Sequence, residues 1–198
     1  ITLDIKDLDN NKVIDQIKVK ENLTEGINKK TVSIDLNGKL KKWTEFNPTT
    51  YVLNTTIESG KYNDKIDTEF GYLKISHSKH NILINDKPVF LRGNLDCVHF
   101  PITGYPSTKV EDWIRIFKIY KDYGLNHVRY HSWCPPEAAF KAANRVGIYM
   151  QAEASIWIDW WMSEDMKIKG RPEMDTKGYP KGLGKDPVRD KFVIAEMN

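Results

Sequence analysis

Gly124-Leu-Asn-His-Val-Arg-Tyr-His-Ser-Trp-Cys-Pro-Pro-Glu-Ala-Ala-Phe140 is the stretch whose reading decides the fold. Its centre, His127-Val-Arg-Tyr, is a short β-rich run bounded by a glycine on one side and a proline pair on the other. Upstream, Ser107 to Gly124 reads as a helix. Val110, Trp113, Ile114, Phe117 and Tyr120 recur at helical spacing and share one face. Thr108 and Glu111 have the spacing of a capping box, and Gly124 is placed to end the helix with positive φ. Downstream, Pro135-Pro136 opens a second helix through Ala138, Ala139, Ala142 and Ala143, and Gly147 ends it. Ile148-Tyr-Met-Gln-Ala is the strand that follows. Pro88-Val-Phe-Leu-Arg-Gly is read as the strand that precedes, short and buried. Asp186-Pro187 predicts the cap and first turn of a last helix running to Asn198.

Strand, helix, strand, helix, strand, long loop, helix is the alternation of a parallel sheet. Helix-to-strand connections are short, whereas strand-to-helix connections are long, polar and aromatic. In a (β/α)₈ barrel the active site lies at the C-terminal ends of the strands. An open doubly-wound sheet shares that asymmetry, but no Gly-rich phosphate loop supports a nucleotide site.

Residues 1 to about 75 follow a different period. Thr2-Leu-Asp-Ile, Val13-Ile-Asp-Gln-Ile-Lys-Val, Thr31-Val-Ser-Ile-Asp-Leu and Tyr51-Val-Leu-Asn-Thr-Thr-Ile alternate apolar and polar residues. Turns at Asn37-Gly38 and Ser59-Gly60 separate some of them. Short strands at this spacing predict an antiparallel sandwich. It carries no cluster of His, Cys or carboxylates and is expected to be a supporting domain. The division expected is 1–75 for the sandwich and 76–198 for the α/β part.

Composition excludes several classes. Of 198 residues 40% are hydrophobic and 29% charged, as in an ordinary globular protein. The net charge of +3 is spread over loops and helix surfaces, with no aromatic-basic patch, so no nucleic-acid partner is expected. No apolar run reaches the roughly 18 residues of a membrane span. Ile1-Thr-Leu-Asp-Ile-Lys alternates like a strand and is no signal peptide, so more chain is expected upstream. Cys97 and Cys134 are too few for a disulfide framework and lack metal-site spacing. They follow neighbouring strands, and either a bridge or two free thiols fits. No metal or cofactor is expected.

The strand ends carry the chemistry. Arg92, Asn94, Asp96 and His99 follow the first parallel strand. Arg129, His131, Ser132 and Trp133 follow the second, and Glu153, Ser155 and Trp157 the third. Arg and His donate to sugar hydroxyls, a carboxylate accepts from them, and an indole covers an apolar sugar face. Candidate sugar contacts are therefore Arg92, His99, Arg129, His131, Trp133, Glu153 and Trp157. Each has a competing reading: Arg92 as an ion-pair partner of Glu153, His99 as a solvated side chain, the two indoles as core. Arg129 and His131 alternate on one strand and face the same way. Glycoside hydrolysis needs two carboxyls, about 5 Å apart in retaining enzymes. No convincing pair stands out: Asp159, Glu164 and Asp165 lie in a long loop, and Glu137 suits a helix start.

Five segments, in order, resemble glycoside hydrolase family 2, which includes β-galactosidases, β-glucuronidases and β-mannosidases. They are Trp43-Thr-Glu-Phe-Asn-Pro-Thr-Thr-Tyr-Val-Leu, Phe70-Gly-Tyr-Leu, Ile84-Asn-Asp-Lys-Pro-Val-Phe-Leu-Arg-Gly, Gly124 to Phe140, and Val146-Gly-Ile-Tyr-Met-Gln-Ala-Glu. The resemblance implies an immunoglobulin-like sandwich followed by the first three β/α units of an incomplete (β/α)₈ barrel, which is about 250 residues when complete. It implies a fragment of a retaining exo-β-glycosidase that removes terminal β-linked sugars, with Arg92, Arg129, His131 and Glu153 lining or supporting the sugar subsite. Both catalytic glutamates are expected beyond Asn198, so no catalytic residue is assigned here and the fragment is expected to be inactive. The remainder of the barrel and a homo-oligomer are the expected partners, besides carbohydrate. A periplasmic or secreted location is the expectation. The sequence departs from the family where Leu73 replaces an arginine, where Ala152 replaces an aspartate and where Ser155-Ile-Trp157 lacks a metal-binding acid. The missing catalytic pair, Leu73 and the Trp157–Trp161 cluster motivate an alternative, a non-catalytic carbohydrate-binding or scaffolding relative.

Overall fold

A computed structural model describes residues 1–155 and 184–197. Four strands form an antiparallel sheet in the order β2-β1-β3-β4: β1 (Thr2–Asp7), β2 (Val13–Lys18), β3 (Thr50–Ser59) and β4 (Tyr62–Gly71). Alternation sets its faces. Leu3, Ile5 and Tyr51 share one face and are buried, while Asn54 is buried on the other. The β3/β4 hairpin turns on Gly60, at φ +58, with Ser59 paired to Tyr62.

Thr31–Leu36, expected as a strand, forms none. Val32, Ile34 and Leu36 are still half-buried and alternate with exposed Thr31, Ser33 and Asp35. The period reports one-sided burial, but no neighbouring strand supplies a ladder.

A small antiparallel sheet follows: β5 (Ile75–His77), β6 (Ile82–Ile84) and β7 (Lys87–Pro88). Asn85 and Asp86 both lie at positive φ, +51 and +66, the geometry of a two-residue hairpin turn. This turn corrects the first parallel strand. Pro88 pairs back onto Leu83, Phe90 is 78% exposed, and the parallel strand begins only at β8 (Gly93–Asp96).

The parallel sheet has the order β8-β9-β10, with β9 at His127–Tyr130 and β10 at Tyr149–Gln151. Helices α1 (Val110–Asp122) and α2 (Glu137–Val146) form its crossovers. Trp113 and Phe117 of α1 and four alanines of α2 pack on Val128, Tyr130 and Ile148. Small alanines let α2 approach the sheet closely, while the rings of Trp113, Trp133 and Phe100 fill the rest of the same core edge-on. The opposite sheet face, with Leu95 and Arg129, is open among the described residues.

The expected capping box does not form. The N-cap of α1 is Lys109, and Ser107 works in place of Thr108: its Oγ accepts from the Lys109 N–H at 3.1 Å and donates to Asp112 at 2.6 Å. Gly124 and Gly147 end their helices at φ +75 and +86 as expected. The last helix, α3, spans Pro187–Met197 and is capped by Asp186, whose Oδ1 accepts from the Val188 N–H. None of the helices is long and apolar enough to cross a membrane among the described residues.

Candidate functional site

The C-terminal ends of β8, β9 and β10 bring four of the expected residues to one rim. Arg129 donates through Nε to Glu153 Oε1 at 2.5 Å. The Ser132 N–H donates to Glu153 Oε2 at 2.8 Å, and the Glu153 N–H donates to the Trp133 carbonyl at 3.2 Å. The hydrogen bond from Arg129, then that from Ser132, holds the Glu153 carboxyl below its ordinary range. The charges of Arg129 and His131 act in the same sense. Glu153 is therefore ionised at neutral pH. Ser132 sits at φ +62, so the chain turns sharply after β9 and aims its N–H at the carboxylate.

Asp96 ends β8 beside this group. Its carbonyl accepts from the His131 N–H at 2.8 Å and from Trp133 Nε1 at 3.2 Å, which ties the loop after β9 to β8. Its carboxylate accepts from the Val98 N–H at 2.8 Å, and Val98 adopts φ +62, a strained conformation for a β-branched residue. Half-burial pushes the Asp96 carboxyl up from its usual value. His99, on the same turn, is exposed and close enough for its charge to act on Asp96.

The other expected residues separate. Trp133 is core: it is 9% exposed and stands edge-on to Tyr130, with centroids 5.1 Å apart. Arg92 lies at the opposite, N-terminal end of the sheet. Its partner is Glu45 at 3.2 Å, not Glu153, and it also donates to the carbonyls of Gly124 and Phe90. It lies on the residue before β8, with the whole strand between it and the rim. Trp157, with Asp159, Glu164 and Asp165, lies outside the described residues. Cys97 and Cys134 are exposed free thiols. No group of three or more His, Cys, Asp or Glu capable of holding a metal occurs among the described residues.

Sequence reasoning missed the base of the sheet. Glu45, 6% exposed, accepts from Asn126 Nδ2 at 2.7 Å as well as from Arg92. Asn126 is fully buried. It also donates to the Phe90 carbonyl and accepts the Arg92 N–H at 2.7 Å. The signal available was a glutamate inside the Trp43–Leu53 segment and an asparagine just before β9, two polar residues in apolar surroundings. An apolar cleft of about 580 Å³, lined in part by Trp43, Leu73, Ile84, Phe140 and Met150, includes none of the rim residues. It has the shape of a pocket without the converging polar groups of a sugar site.

No family model matches the chain. A β-galactosidase from Vibrio vulnificus (strain YJ016) is 30% identical over 118 residues, which are 59% of this chain and 11% of that protein. The chain thus spans about a tenth of this curated relative's length. A β-D-glucuronidase from Dictyoglomus thermophilum has the same fold over 83% of this chain and 28% of its own, with a TM-score of 0.64 and 18% identity. A glycosyl hydrolase family 2 member from Bacteroides cellulosilyticus covers 81% of this chain and 20% of its own, with a TM-score of 0.60 and 22% identity. The ordered segments and these likenesses agree: over 118 residues the chain is similar to β-galactosidases, and it shares its fold with a β-D-glucuronidase and a glycosyl hydrolase family 2 member.

Proposed function

We propose that the chain is part of a retaining exo-β-glycosidase and that its rim holds part of the subsite for the terminal sugar. Residues 1–75 are the immunoglobulin-like supporting domain in this reading, and residues 76–198 begin a (β/α)₈ barrel. The observation that carries it is the grip on Glu153. Arg129 Nε and the Ser132 N–H fix an ionised carboxylate at a strand end, with the His131 charge close by. Among the described residues no hydrogen bond uses the terminal guanidinium nitrogens of Arg129, so they remain available to sugar hydroxyls. A carboxylate with several lone pairs accepts from two hydroxyls while keeping its protein donors. In this reading His99, whose charge reaches Asp96 at the end of β8, contacts the same ligand. Such an array binds and orients; it does not cleave. The acid/base and the nucleophile belong to strands beyond Asn198, and the chain as it stands is inactive.

The test is turnover of aryl β-galactosides and β-glucuronides by a polypeptide continued past Asn198 through a whole barrel. Hydrolysis is expected, with Glu153→Gln lowering kcat/KM by at least about tenfold, the effect of one lost charged hydrogen bond. No turnover of any common aryl β-glycoside would overturn this reading and favour a carbohydrate-binding relative.

A further inference from the structure

The parallel sheet rests on short ladders. β8 and β9 share four residue pairs, and β9 and β10 share three. A slip of one residue would send Arg129 to the helix face and Val128 or Tyr130 to the open face. So few pairs resist such a slip weakly, and the register needs another anchor.

Glu45 occupies the place where that anchor is needed. It lies in the turn that leads into β3, within the Trp43–Leu53 segment, yet it contacts the starts of all three parallel strands. Its carboxylate takes Arg92 before β8 and Asn126 before β9. Its carbonyl accepts from Lys121 Nζ at 2.8 Å, which also reaches the Gly147 carbonyl, just upstream of β10, at 3.4 Å. A Cβ on Gly147 would stand 2.5 Å from the Glu45 carbonyl oxygen, so the two backbones touch. Two residues away, Trp43 packs edge-on against Tyr149 of β10, with centroids 5.6 Å apart. Burial and the Glu45 carboxylate push the Tyr149 hydroxyl up to about 12, as expected if that group lies against the same buried charge.

We propose that Glu45 is a positioning residue: one buried carboxylate, delivered from outside the parallel sheet, gathers the N-terminal ends of β8, β9 and β10 and so sets the register in which their other ends present Arg129, His131 and Glu153. The rim's role as a sugar site rests on the function proposed above. The positioning itself does not. A second bond across the same junction provides an internal control. Arg145 of α2 donates to both oxygens of Glu69 in β4, at 2.6 and 3.3 Å, and so joins the two halves without touching a parallel strand.

Amide exchange and a carboxyl-carbon NMR titration of Glu153 test the proposal on the 198-residue chain, with no sugar present. Glu45→Ala is expected to speed exchange at the β9 and β10 amides by about tenfold or more. It should also raise the Glu153 midpoint toward the ordinary carboxylate value as the Arg129 contact loosens. Glu45→Gln, which keeps an acceptor oxygen and remains measurable if the alanine variant does not fold, should give a smaller change in the same direction. Arg145→Ala should loosen α2 and β4 while leaving the Glu153 midpoint in place. The proposal is overturned if the Glu45 variants leave Glu153 and the strand amides unchanged, or if Arg145→Ala moves them as far. Because no turnover is read, failure of the glycosidase reading leaves this result standing.

Discussion

The two ends of one three-stranded sheet each carry an arginine–glutamate pair, and the pairs differ in how deeply the glutamate is buried and in what else each pair holds. At the base, Glu45 is 6% exposed and is held by Arg92 and Asn126. At the rim, Glu153 is 24% exposed. The two arginines are about equally exposed, 43% for Arg92 and 44% for Arg129, but Arg92 also holds the carbonyls of Gly124 and Phe90, whereas Arg129 bonds only the carboxylate among the described residues. A closed, desolvated network is costly to break because removing one member strands the others without water. An open pair contributes little to folding and keeps donors free for a ligand. The same two residue types therefore do structural work at one end and are available for binding at the other.

The largest effect is expected from Asn126→Ala. It removes the side chain that joins Glu45, Phe90 and Arg92, and urea unfolding should show a loss of about 3 kcal/mol. Gly147→Ala comes next. The residue lies at φ +86, and its new Cβ would press on the Glu45 carbonyl, so the loss should be about 2 kcal/mol. A rim substitution that removed as much stability would erase the contrast between the ends.

The smallest effect carries a sign. Burial raises the folded pKa of Asp96 above its unfolded value, so the native state binds the proton more tightly. The carboxyl therefore opposes folding at neutral pH, and stability is regained as the pH falls through the folded pKa toward the unfolded one. Asp96→Asn keeps an oxygen for the Val98 N–H and loses the charge. It should raise stability at pH 7 by less than about 1 kcal/mol, with the gain vanishing in acid. Denaturation midpoints measured across that range decide it, and a gain that grew on acidification would refute the sign.

Much of this was legible in the sequence. The face of α1 was plain because five apolar residues kept helical spacing, and β9 matched its expected residues because glycine and proline bound it. Arg129 and His131 could be placed together because alternation along a strand is a local rule. What escaped was non-local. The alternation of Thr31–Leu36 reports burial, but a strand also needs a partner that the segment itself does not name. The hairpin turn at Asn85-Asp86 shifted the first parallel strand from Pro88 to Gly93. Arg92, open in sequence between a sugar contact and an ion pair with Glu153, pairs instead with Glu45, which lies 47 residues from it and 81 from Asn126. Spacing cannot reveal such contacts. Trp133 fell into the core because the neighbouring rings of Tyr130 and Phe100 leave room for an edge-on indole.

The contrast between the two ends is tested most directly by urea unfolding of Glu45→Gln and Glu153→Gln, measured side by side at pH 7. Glu45→Gln should lose about 2–3 kcal/mol, the range for a buried charged hydrogen bond, and Glu153→Gln less than about 1 kcal/mol. Equal losses, or a larger loss at Glu153, would contradict the account.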